Sequence, residues 1–400
     1  MMDPETELFV IDPVGGMSDL VEAVDGHRIQ VGGGTTINPM EIEQGEYGRS
    51  EAEADLDPYQ QKIRSVMGLF HTHFEGRREL TKEEEGLLRR AVRLSYLQNG
   101  ITPNPETHDR ESPTIGDVIE ILERYNGGDT AADFMSVDED ADEEVKRYVQ
   151  SVKRTESESD NQQMQEIAFN LLMGLEEFKE GGQNDDLNGR PEELEFTDRV
   201  IQFDLSQAAE GNADLMMHVV LDRLFQKARS TDSNTLVVID EAHYMLGESE
   251  ALDMLELFAR HSRHYDAGMT LISQTVDEFM KNEQTQAIYD QCDIRALMRH
   301  ENIGDEALEA LDLTERERQF VLGAQAGNSA DYSQSLLHVT DVGTLRLQVI
   351  SSEYEHHVIE ESESAWAYLE ENDMVSYADV PDERKPEIHD HQPQRSTGDD

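Results

Sequence analysis

Residues 235–243 read Thr-Leu-Val-Val-Ile-Asp-Glu-Ala-His. Leu236, Val237, Val238 and Ile239 form a continuous apolar run, which a strand buried on both faces of a parallel sheet requires. The carboxyl end of such a strand is where ligands bind in open α/β sheets. Here it delivers two adjacent acids, Asp240 and Glu241. Carboxylates without compensation are expensive in a plain core, so the pair points to chemistry. The first is placed to hold the water shell of Mg²⁺, and the second to polarise an attacking water.

Downstream, Met269 to Ser273 reads as another buried strand, ending at Gln274. A glutamine at the tip of a neighbouring strand can bond both a γ-phosphate and the lytic water. Between the two strands lie Arg260 and Arg263, three residues apart on one helix face. An arginine that reaches into a neighbour's site neutralises charge on a γ-phosphoryl group, an effect of about 10³ or more in rate. Considered alone, the two arginines read equally well as a solvated pair on an acidic surface.

Strands and helices alternate around this centre. Glu7 to Ile11, His27 to Val31, Arg199 to Leu205 and Leu345 to Ser351 read as strands, and Ile288 to Met298 as helix or strand. A long amphipathic helix follows through Leu215, Val219, Leu221, Leu224 and Phe225, and another over Leu252 to His264. The alternation predicts an α/β fold, a RecA-like doubly wound and mainly parallel sheet with a helical insertion. Residues 1–49 carry the first strands, 50–195 the insertion, 196–360 the remaining core, and 361–400 an acidic helix and a disordered tail. Within the insertion, Thr81 and Glu84 form a capping box, and Ser112-Pro113-Thr114 opens a further helix. Asp138 to Asp160 is mostly charged and reads as a solvated helix or loop.

The chain holds 87 Asp and Glu against 33 Lys and Arg, a net charge of −54. Only eight of the basic residues are lysines, and the acid is spread along the whole length. Such a surface resembles proteins of salt-loving archaea, where molar salt shortens the Debye length to roughly 3 Å and screens the repulsion. A global adaptation of this kind says little about partners. The single cysteine, Cys292, excludes a disulfide framework and a cysteine zinc site, and no run approaches the roughly 18 apolar residues of a membrane span. A cytoplasmic location is expected. The histidine pairs, such as His71 with His73 and His261 with His264, read as surface residues. Met135, Met164, Met173, Met216 and Met217 read as core filler, and Trp366 as an anchor for the last helix.

The runs 237–243 and 259–274 together resemble the HerA/FtsK superfamily, and within it the TraC-like conjugative-transfer ATPases of type IV secretion. Asp12-Pro13, the glycine-rich turn Gly32 to Gly34, Ile37-Asn38-Pro39 and Arg199 to Ser206 extend the similarity over about residues 7 to 355. The resemblance implies ATP as substrate and Mg²⁺ as cofactor. It makes Asp240 the Mg²⁺ carboxylate, Glu241 the general base, Gln274 the sensor, and Arg263 the arginine finger with Arg260 second. It further implies a hexameric ring that moves DNA or protein, docked at the membrane through channel proteins of the transfer apparatus.

One part of the pattern is missing. No glycine cluster is followed by Lys-Ser or Lys-Thr, and no lysine occurs before Lys62, so the phosphate loop G-x-x-x-x-G-K-[ST] is absent. The expectation is the downstream portion of a motor, or a ring in which another subunit bears the loop, with little ATP binding by this chain alone. The alternative is a catalytically dead structural or regulatory ring subunit of the same fold. Asp240-Glu-Ala-His243 also spells the DEAH box of RNA helicases, but their other motifs are not found.

Overall fold

The computed structural model describes residues 6–42, 58–135, 143–157, 161–190, 198–208, 213–230, 233–300 and 311–350, apart from 25, 33–34, 76, 248, 312 and 327–331. Trp366, the acidic helix and the tail fall outside the described residues.

Five parallel strands form the central sheet. They are β1 (Thr6–Asp12), β2 (His27–Gln30), β3 (Val200–Asp204), β4 (Asn234–Ile239) and β5 (Ala267–Leu271), in the order β2-β3-β1-β4-β5. Leu8 pairs with Val200 on one side of β1 and with Leu236 on the other, and Ile239 pairs with Leu271. This register places the strand ends Asp12, Asp204 and Ile239 along one rim.

One face of the sheet carries Phe9, Ile11, Ile201, Phe203, Val237 and Ile239, all buried. Helices α8 (Ala213–Ser230) and α10 (Ser249–His261), the latter preceded by the short α9 (His243–Leu246), pack over this side, and their apolar stripes share one core with it. The opposite face holds Leu236 and Val238, which are only half-buried. There the short helix α1 (Ser18–Ala23) lies against β2 and β3 and does not extend over β4. The apolar run in β4 therefore reads correctly as a parallel strand, but its burial is unequal on the two faces.

Between β2 and β3 come α2 (Pro58–Glu75), α3 (Lys82–Gln98), α4 (Ile115–Asn126), α5 (Ala131–Phe134), α6 (Glu143–Ser157) and α7 (Asn161–Gly174). The capping box at Thr81 and Glu84 is formed, with Thr81 N–H donating to Glu84 Oε2 at 2.9 Å. The helices belong to the same apolar core as the sheet. Two polar features fasten them to it. Lys62 on α2 makes a buried ion pair with Asp222 on α8 and donates to the Pro39 carbonyl at 3.0 Å. In the Ile37-Asn38-Pro39 segment, Asn38 Nδ2 donates to the Pro113 carbonyl at 2.9 Å, and Tyr96 Oη donates to the Met40 carbonyl at 2.6 Å. That segment thus joins the sheet to the helices.

Of the charged stretch 138–160, the described part, Glu143–Ser157, departs from the expectation of a solvated element. Within α6, Val145, Val149, Val152 and Glu156 are buried. They recur at helical spacing and present one apolar stripe beneath a charged exterior. Glu156 accepts hydrogen bonds from Arg90, Tyr125 Oη and the Ala131 backbone, which compensates its burial.

Beyond β5, the ambiguous stretch 288–298 resolves into both alternatives: α11 (Glu283–Gln291) ends and β6 (Ile294–Leu297) begins. An antiparallel sheet follows in the order β6-β7-β8, with β7 at Ser333–Val339 and β8 at Gly343–Val349. β7 and this second sheet are not foreseen by the sequence reading. A small core of Val276, Tyr289, Leu297, Leu311, Val321 and Leu336 holds it.

Candidate functional site

The rim of the parallel sheet collects four carboxylates, and their surroundings divide them. Asp12 Oδ1 accepts from the N–H groups of Val14 at 3.1 Å and Gly15 at 2.7 Å. Its Oδ2 accepts from the Met17 N–H and from Gln202 Nε2, both at 2.8 Å. Asp204 accepts from the Ser206 N–H at 2.8 Å and pairs with Arg28 of the adjacent strand. Burial alone would raise its pKa, but the bonds from Ser206 and Arg28 outweigh that and hold it below the usual carboxylate value. Both aspartates are fully buried and committed to closing the loops after β1 and β3. Gly15 shows how tight that closure is. It sits at φ +79, and a Cβ there would lie 3.3 Å from Asp204 Oδ1 and from Ser206.

Asp240 and Glu241 differ. Asp240 has no cationic partner among the described residues. Burial, followed by the charges of Asp12 and Glu241, pushes its pKa above the ordinary value, against one opposing bond from the Glu241 backbone. A carboxylate pressed by like charge and lacking a counter-ion suits a hydrated divalent cation. The turn is held from both sides: Asp240 N–H donates to the Ile11 carbonyl at 2.9 Å, and Ala242 N–H to the Ile272 carbonyl at 2.8 Å. Glu241 itself takes a left-handed backbone, φ 47, which costs a non-glycine residue of order 1 kcal/mol or more.

Gln274 lies three residues beyond the end of β5 and donates from Nε2 to Glu241 Oε1 at 2.7 Å. The structure therefore brings together three of the residues singled out in the sequence: Asp240, Glu241 and Gln274. It also adds His243, whose Nδ1 lies 3.0 Å from Glu241 Oε2 and whose ring stacks on Tyr244. The sequence reading gave His243 no role of its own.

Arg260 does not join this group. α10 leaves the rim after β4 and runs its 13 residues, roughly 20 Å, back to the start of β5, so its last turn sits at the opposite edge of the sheet. The Thr235 N–H donates to the Asp266 carbonyl there. Arg260 is exposed and ion-paired to Glu256 one turn earlier. Arg263 falls in the following turn, Ser262–Tyr265, and its side chain lies outside the described residues.

A mostly parallel central sheet backed by helices is the fold of the RecA-like P-loop ATPases. A family model for the TraG P-loop domain matches residues 129–378. The chain belongs to this family, among the conjugative-transfer ATPases of the FtsK/HerA-like P-loop superfamily. The structure of VirB4 of Thermoanaerobacter pseudethanolicus aligns with 88% of this chain and 83% of its own, at a TM-score of 0.65 and 20% identity. The bacterial conjugative coupling protein TrwB aligns with 87% of this chain and 78% of its own, at a TM-score of 0.37 and 10% identity. No curated protein sequence matches the chain. Among the described residues no helix is long and apolar enough to cross a membrane.

Proposed function

We propose that this chain supplies the water-activating half of an ATP site in a conjugative or type IV secretion motor, where hydrolysis drives transfer of DNA or protein. The observation that carries the proposal is the bond between Gln274 and Glu241 at the mouth of β4, beside Asp240, which has no cationic partner among the described residues. Asp240 would hold Mg²⁺ through water, and the ion would neutralise charge on the phosphates. Glu241 takes the proton of the attacking water as its oxygen adds to the γ-phosphorus and the bond to the β-phosphate oxygen breaks, leaving ADP and phosphate. Gln274 orients that water. Since none of the 400 residues forms the loop G-x-x-x-x-G-K-[ST], the phosphate cradle comes from a loop-bearing subunit or segment in a hexameric ring. Arg263, with Arg260 second, serves a neighbouring site. The length of α10 favours action in trans, because it carries these arginines away from the chain's own acids.

The test is ATP turnover of this chain assembled with a loop-bearing subunit. Glu241→Gln should lower kcat about 100-fold or more while nucleotide binding persists. The missing loop favours one other reading, a ring subunit that assembles without hydrolysing. Turnover unchanged by Glu241→Gln and by Arg263→Ala would favour that reading and remove the first.

A further inference from the structure

We propose that His243 is a positioning residue for Glu241, holding one carboxylate oxygen so that the other is free to receive the proton of water. The inference rests on Glu241 acting as the base, as proposed above. The two oxygens of that carboxylate are in different situations. Oε1 accepts from Gln274 Nε2 at 2.7 Å, whereas Oε2 is buried and has no hydrogen-bond partner among the described residues, although His243 Nδ1 stands 3.0 Å away. The contact is within reach but not in hydrogen-bond alignment.

A buried carboxylate oxygen without a donor costs about 1–3 kcal/mol. The cost grows once Gln274 is needed elsewhere. When Gln274 turns to orient the attacking water, its Nε2 gives up Oε1 and leaves that oxygen to the water. The carboxylate would then lose its bond from Gln274, with no other donor among the described residues, on a backbone already at φ 47. His243 is the group placed to replace that restraint. Its ring opens the short helix His243–Leu246 and is stacked on Tyr244 with centroids 4.3 Å apart and an interplanar angle of 28°. The stacking limits the ring to small rotations, and a small rotation converts the 3.0 Å approach into an Nδ1–H···Oε2 bond. The imidazole keeps its proton throughout; the proton of water passes to Oε1.

Two measurements test this on the full chain. In ¹⁵N-imidazole NMR, with the His243 signal identified by its loss in His243→Asn, the wild type should hold its proton on Nδ1. In Glu241→Ala the proton should move toward Nε2. In the turnover assay above, His243→Asn puts an amide nitrogen near the position of Nδ1 and should keep kcat within about 3-fold. His243→Gln and His243→Ala should lower kcat about 10-fold or more, with KM for ATP within about 2-fold. An unchanged tautomer in Glu241→Ala, or an asparagine variant as slow as alanine, would overturn the proposal. If the wild-type assembly does not turn over, the hydrolysis reading falls, and the tautomer measurement alone decides whether His243 holds Glu241.

Discussion

Replacing Lys62 by methionine is the sharpest test of how the helices are fixed to the sheet. Lys62 and Asp222 are 3% and 9% exposed at their side chains, so their pairing is made out of water. Methionine keeps the apolar stem and removes the ammonium, stranding a buried carboxylate. Loss of one partner from a buried pair costs about 3–5 kcal/mol. Gln226 Nε2 still donates to Asp222 Oδ2 at 2.8 Å, which places the expected loss near the lower end, about 3 kcal/mol or roughly 140-fold in the folding equilibrium. The deficit should change little between dilute and molar salt, unlike the contribution of exposed pairs. Replacing both partners, Lys62→Met with Asp222→Leu, should return stability to within about 1 kcal/mol of wild type. Denaturant unfolding followed by circular dichroism gives all three quantities. A single-variant loss below about 1 kcal/mol, or a double variant no better than the single, would refute the reasoning.

Other outcomes follow from the same structure. Thr81→Ala should cost about 1 kcal/mol in denaturant unfolding, since it opens the capping box of α3. In that box burial alone would raise the Glu84 pKa, but bonds from Arg78 and the Thr81 N–H outweigh it and hold the carboxyl below its ordinary value. A depressed pKa stabilises the fold above the unfolded value and is lost as pH falls through the folded one. The stability gap between wild type and Glu84→Gln should therefore narrow as pH falls below the ordinary carboxylate range and through the lowered Glu84 pKa. Gly15→Ala should cost more than about 1 kcal/mol, because φ +79 and the approach to Asp204 leave a methyl group no relaxed position; unfolding equilibria read it directly. Asp240→Asn should leave the metal-free fold as stable as wild type or slightly more so, since it removes a charge that burial, Asp12 and Glu241 all disfavour. The same variant should lose any stabilisation by Mg²⁺ in a thermal melt; retention of that effect would move the cation elsewhere.

Much of this molecule was legible from short-range pattern. The run Leu236 to Ile239 and the box at Thr81 and Glu84 depend on neighbours within a few residues, and the strand and the box both form, although Leu236 and Val238 are only half-buried. The burial of α6 was also written in the sequence, in the spacing of Val145, Val149 and Val152, but the density of charge around those residues hid it. β7 was not recognised, because its Ser-Gln-Ser start and mixed alternation carry a weak strand signal until β6 and β8 pair with it.

What the sequence by itself determined was that a parallel strand runs into two adjacent acids and that a glutamine follows a later strand. Which of the rim carboxylates is available for chemistry was decided only in three dimensions. Asp12 and Asp204 resemble Asp240 in lying at strand ends, yet both are saturated by loop N–H groups, Gln202 and Arg28. The meeting of Gln274 with Glu241, 33 residues apart, follows from the register of β4 on β5, as does the distance of Arg260 from both. Local propensity sets what an element is. The hydrogen-bonded order of the strands sets which ends meet, and no short stretch of chain encodes that order.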